Sequence, residues 1–139
     1  MQKITPPKNF SKKIKKVVLN MTFSDYQEDA VRTITGISAS HDDNLLLEGV
    51  MGLNGEAGEV IELVKKHIFQ GHELEKEKIA VELSDCLWYL TASAKAVGYS
   101  LEDIAALNIQ KRKSRYPNGF DEKNSINRTT QNKPCQPMI

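Results

Sequence analysis

Residues 52–62 read GLNGEAGEVIE, and how they are read decides the fold. Three glycines in eleven residues argue against a helix, since each costs about 1 kcal/mol relative to alanine in a helix interior. The apolar period around them argues for one: Leu46, Val50, Leu53, Ala57, Val60, Ile61, Val64 and Ile68 recur as a stripe at 3.6-residue spacing. Giving the period more weight than the composition, the helix begins at Asp42 or Asp43 and runs to about Gln70, where Gly71 stops it. Gly52, Gly55 and Gly58 then fall along one slightly drifting ridge, where a missing side chain lets a neighbouring helix or a ligand approach the backbone. The expectation is that this ridge brings Glu56 and Glu59 close to acids on another helix.

The same period continues on both sides. Ser24 can cap an earlier helix, with Gln27 at the capping-box position, and DYQEDAVRTI carries that helix towards Gly36. A third helix is expected from about Leu74 to Val97, ended by Gly98. Apolar residues cover most of its circumference, so it should be largely buried. Ser100 with Asp103 opens a fourth, which ends where Pro117 forbids continuation. No segment alternates as a strand between hairpin turns, so the fold class is all-α. Residues 21–120 make one helical domain, residues 1–20 a basic N-terminal arm, and residues 121–139 a polar, flexible C-terminal tail.

A chain of 139 residues can bury one core but not two. Cys86 and Cys135, one in an apolar helix and one in a polar tail, match neither metal spacing nor a disulfide framework, which points to a reducing cytoplasm. No apolar run approaches a bilayer span or a signal core. The net charge of +1 conceals an uneven distribution. Residues 1–20 hold six lysines and no acid, residues 21–103 sixteen acids and six bases, and residues 104–139 seven bases and two acids. An acidic middle suits bound cations, and the basic segment after it suits an anion. The basic arm lacks interleaved aromatics, so nucleic-acid binding is not favoured.

Glu56 and Glu59 lie within about 60° of each other on the flank of the apolar stripe. On the third helix Glu82, Asp85 and Tyr89 form a stripe about 60° wide. Two helices that each offer an acidic i, i+3 pair can build a cluster of oxygen ligands, which suits Mg²⁺ or Mn²⁺. One such pair alone is most often a solvated face; two, with one on a helix of little polar surface, favour the cluster. A di-iron carboxylate bundle would need Glu-x-x-His pairs, and His41, His67 and His72 lie off that pattern. On the fourth helix Leu101 and Ile104 start a stripe that turns polar and cationic at Asn108, Lys111, Arg112 and Arg115. That stripe can grip phosphate, and it equally complements the negative end of the helix dipole.

These residues resemble the all-α nucleoside triphosphate pyrophosphohydrolases of the MazG type. The family's ExxE followed by ExxD is matched by Glu56, Glu59, Glu82 and Asp85 in GEAGEVIELVKK and AVELSDCLWYL, and its NxxK…RYPxGF ending by NIQKRKSRYPNGF. YQEDAVRT in the first helix is a weaker match, and Arg112 stands where the family often has an apolar residue. The resemblance implies a four-helix MazG-like bundle, completed by oligomerisation as a homodimer or homotetramer. It implies hydrolysis of a nucleoside or deoxynucleoside triphosphate to monophosphate and pyrophosphate. Glu56, Glu59, Glu82 and Asp85 would bind Mg²⁺, with Glu56 or Glu59 acting as base. Asn108, Lys111 and Arg115 would hold phosphate, Tyr89 would stack on sugar or base or else serve packing, and Gln27 is a candidate for the base site. The alternatives are a non-catalytic helical module that binds nucleotides or a partner, and a structural or DNA-associated protein using its basic ends.

Overall fold

The computed structural model describes residues 21–126; the basic arm and the last part of the expected tail, 127–139, lie outside the described residues. Among the described residues five helices follow in order: α1 Phe23–Val31, α2 Asp42–Gln70, α3 Lys76–Ala96, α4 Leu101–Arg115 and α5 Glu122–Ile126. The all-α class holds, and the described residues contain no named strand. The chain divides into two compact units, with the boundary between Ile104 and Ala105.

The first unit is built on α2 and α3. Where the two pack, α2 positions rise as α3 positions fall: Gly49 meets Ser93, Gly52 meets Tyr89, and Glu56 meets Asp85 and Glu82. The helices are therefore antiparallel along one seam. A Cβ on Gly52 would overlap the Tyr89 ring; one on Gly49 would overlap Ser93 Oγ and stand 3.1 Å from Ser93 N and 3.2 Å from Tyr89 O. The expectation for the glycine ridge is thus met at Gly52 and fails at Gly55 and Gly58, which have no atom within 4 Å of a Cβ and are exposed. The reason is the drift of a 3.6-residue repeat: glycines three apart slip round the helix, and only the seam-facing ones touch α3. Gly49, which the motif did not single out, is the second contact glycine.

Helix ends follow local chemistry. The cap of α1 lies two residues before the expected one, because Thr22 Oγ1 accepts from Asp25 N at 3.1 Å while Asp25 Oδ2 accepts from Thr22 N at 2.8 Å, a reciprocal capping box. It stops at Val31, short of Gly36, and Thr33 Oγ1 there donates to Ala30 O at 2.7 Å and accepts from Trp88 Nε1 at 2.8 Å. α2 has the expected limits: His41 Nδ1 accepts from Asp43 N at 3.1 Å at its start, and Gly71 closes it with φ 72°. Gly98, at φ 77°, follows α3. Ser100 and Asp103 form the expected box at α4, with Asp103 N donating to Ser100 Oγ at 3.0 Å and Ser100 N to Asp103 Oδ2 at 2.9 Å.

Two expectations about packing need correction. α3 is not buried all round within one chain: Thr91, Ala92 and Ala94 are buried, but Val81, Leu83 and Val97 are about half exposed. Periodicity reports that a surface is apolar and not which neighbour covers it. The described residues also hold one helix more than expected, because Asp121, whose Oδ1 accepts from Asn124 N at 2.8 Å, caps the single turn α5 inside the stretch read as tail. In this second unit Tyr116 packs on Phe120, ring centroids 5.4 Å apart.

Candidate metal and nucleotide site

The α2/α3 seam carries acids where the glycines end. Glu56 from α2 and Glu82 and Asp85 from α3 each direct a carboxylate oxygen into one cluster, with the three oxygens within 4.8 Å of one another. Glu56 and Glu82 are half-buried and Asp85 is exposed. Antiparallel pairing explains the meeting, since the i, i+3 pair on α3 lies across the seam from Glu56 and both elements are continuous helix at that point. Glu59, the fourth expected acid, is exposed and stands outside the group of three, yet its charge is felt by Glu56.

The electrostatics of Glu56 record this crowding. Its pKa is raised, first by loss of solvent and then by the charges of Asp85, Glu82 and Glu59, with a hydrogen bond to Glu82 adding to the effect. Among the described residues none of the three clustered acids forms an ion pair with lysine or arginine. The contrast is Glu62, one turn beyond Glu59, whose carboxylate is paired with Lys65 and Lys66 and whose pKa is lowered, first by its hydrogen bond to Lys65. Three oxygen donors from two rigid helices, mutually repelling and without a protein cation, fit a hard divalent ion. No histidine belongs to the group. His41 caps α2, and His67 Nδ1 lies 2.8 Å from His72 O.

The remaining candidates are placed as follows. Tyr89 sits one turn beyond Asp85, its ring against Gly52 and edge-on to Trp88 with centroids 4.9 Å apart. Gln27 Oε1 accepts from Leu101 N at 2.8 Å, so its side chain oxygen satisfies one of the open amides at the start of α4. Asn108, Lys111 and Arg115 are exposed on α4 in the second unit, within about 60° of one another around the helix. Tyr26 was not singled out, although it adjoins the site. Its pKa is raised chiefly by burial, against a hydrogen bond to buried Thr91 that lowers it, and Asp85 raises it further. Its only signal in the sequence was its place in YQEDAVRT.

The family model of the MazG nucleotide pyrophosphohydrolase domain matches residues 47–120, a span that includes all four acids and the RYPNGF ending. The chain belongs to the MazG family. No curated protein and no solved structure matches it. Membership agrees with the all-helical fold, and it joins the acid cluster to a family of nucleotide pyrophosphohydrolases, generally metal-dependent. Among the described residues no helix is long and apolar enough to cross a membrane.

Proposed function

We propose that this MazG-family chain hydrolyses a nucleoside or deoxynucleoside triphosphate between its α and β phosphates, releasing a monophosphate and pyrophosphate, with Mg²⁺ as cofactor and Mn²⁺ as a substitute. The observation that carries the reading is the convergence of Glu56, Glu82 and Asp85 from two antiparallel helices. Bound there, the ion supplies Lewis acidity and neutralises triphosphate charge. Glu56, Glu82 and Asp85 hold it, and Glu59 offers a further carboxylate from the next turn of α2. Whichever of Glu56 and Glu59 does not hold the ion takes a proton from the attacking water as its oxygen bonds to phosphorus and the bridging P–O bond breaks. In the second unit Asn108, Lys111 and Arg115 are the groups that bind phosphate.

The active species we infer is a homodimer or homotetramer in a reducing cytoplasm, supported by the uncovered apolar residues of α2 and α3. The test is product analysis with each triphosphate and Mg²⁺. Monophosphate plus pyrophosphate is expected, whereas diphosphate plus orthophosphate would contradict the bond assignment. Glu59→Gln and Asp85→Asn should each lower kcat/KM by about a hundredfold or more. If both left hydrolysis unchanged, the acids would not be the active site. Nucleotide binding without turnover in the parent protein would favour the non-catalytic module.

A further inference from the structure

We propose that the cavity beside Tyr89 is a nucleobase pocket in which Glu48 and Asn44 select bases carrying an exocyclic amino group. The proposal rests on the reading of the acid cluster as the triphosphate site. The cavity is a depression of about 390 Å³, open to solvent, on the first half of α2. Leu47, Met51 and the Tyr89 ring give it broad apolar walls, and Gly52 contributes bare backbone. The Tyr89 ring is fixed from two sides, by its approach to Gly52 and by the edge contact with Trp88. A flat aromatic ring with one open side, backed by aliphatic walls, suits a planar heterocycle.

The place of the cavity ties it to the acids. Gly52 is one turn before Glu56 on α2 and Tyr89 one turn after Asp85 on α3, so pocket and cluster are neighbours on the same seam. Glu48 lies eight residues before Glu56, roughly 12 Å along the helix at about 1.5 Å per residue. That suits the reach of an extended nucleotide from the exocyclic amine of its base, across the sugar, to its α and β phosphates.

Apart from the Tyr89 hydroxyl, two side chains of the lining are polar, and both point to the same selection. Asn44 directs its Nδ2 to Ile37 O and Ser40 Oγ, each at 3.4 Å, which leaves its carbonyl oxygen as the group able to meet a ligand. Glu48 as a carboxylate accepts and does not donate. Two acceptors match the amino groups of cytosine, guanine or adenine. They oppose the carbonyl oxygen that replaces the cytosine amine in uracil, and they lose a donor in hypoxanthine relative to guanine.

The test compares dCTP with dUTP and dGTP with dITP, both as substrates and, through non-hydrolysable analogues with Mg²⁺, as ligands. In each pair the amino-bearing member should be favoured by about tenfold or more, and Glu48→Gln should bring the ratio towards one. Met51→Trp, which fills the cavity, should weaken binding of every nucleotide by about tenfold or more. Hydrolysis with pair ratios within twofold, or ratios unmoved by Glu48→Gln, would overturn the pocket while leaving the activity standing. Selective analogue binding without turnover would support the pocket and count against the activity. If Met51→Trp changed the association state and not nucleotide affinity, the cavity would belong to a contact between copies and the proposal would fail.

Discussion

Gly49 and Gly52 differ from Gly55 and Gly58 in what a methyl group would meet, and that difference can be measured. At Gly55 and Gly58 the helix continues and nothing lies within 4 Å of a Cβ, so Gly55→Ala and Gly58→Ala should each stabilise the chain by about 0.5–1 kcal/mol through helix propensity. At Gly52 the added carbon would overlap the Tyr89 ring, and at Gly49 it would crowd the α3 backbone. There alanine should destabilise by about 1–3 kcal/mol, because displacing a packed ring or a helix outweighs the propensity gain. Thermal unfolding of the four variants checks the order, and equal shifts at all four positions would refute the seam. Glu56 gives a second test at this scale. Its pKa is raised above the ordinary 4.5 in the folded chain, so its protonation favours folding fully below that value, and the benefit is lost as pH rises through the raised value. Without metal, Glu56→Gln should therefore melt above the parent at neutral pH, with the gain shrinking as pH falls through the raised value towards 4.5. Melting in a chelator from pH 4 to 8 reads this out, and a constant difference would contradict it.

At the scale of elements, what was legible in the sequence depended on whether its cause was local. α2 came out with both ends right, because Gly71 at positive φ and the Asp42–Asp43 start are short-range signals. The Ser100–Asp103 box at α4 was equally readable. The cap of α1 is Thr22 and not the expected Ser24, because Asp25 turns back onto Thr22, a matter of geometry that residue types alone do not fix. The acid cluster was legible as two i, i+3 pairs; that Glu56 joins Glu82 and Asp85 more closely than Glu59 does depends on the angular register of two helices. Gln27 shows the same limit, since its bond to Leu101 N spans 74 residues. Losing that acceptor in Gln27→Ala, like losing the cap in Ser100→Ala, should cost about 1 kcal/mol. Denaturant midpoints would measure both, and a neutral Gln27→Ala would mean that water satisfies Leu101 N equally well.

For the whole molecule the central fact is how little of their apolar surface the described residues cover. Among the described residues the fully enclosed apolar core reduces to Ala30, Leu45, Ala92, Ala94 and Leu101, while Ile61, Ile68 and Phe69 on α2 are 61–79% exposed. Leu83 and Leu90 on α3 and Val97 at its C-cap recur every seven residues and are 36–54% exposed, a spacing that keeps one ridge facing a partner helix. Exposed apolar ridges of this length on both major helices are costly in water and are the usual mark of an interface. The oligomer inferred for the active species would therefore supply core that the single chain lacks, coupling association to folding. Replacing Leu83 and Leu90 together by lysine should then lower the molar mass measured by light scattering to that of one chain. It should also make the melting temperature fall, because the ridge loses its cover and not merely its partner. A parent protein that scatters as a single chain at every concentration, with melting unaffected by the double substitution, would show that these helices are stable with their apolar faces in water and would remove the interface from the account of the site.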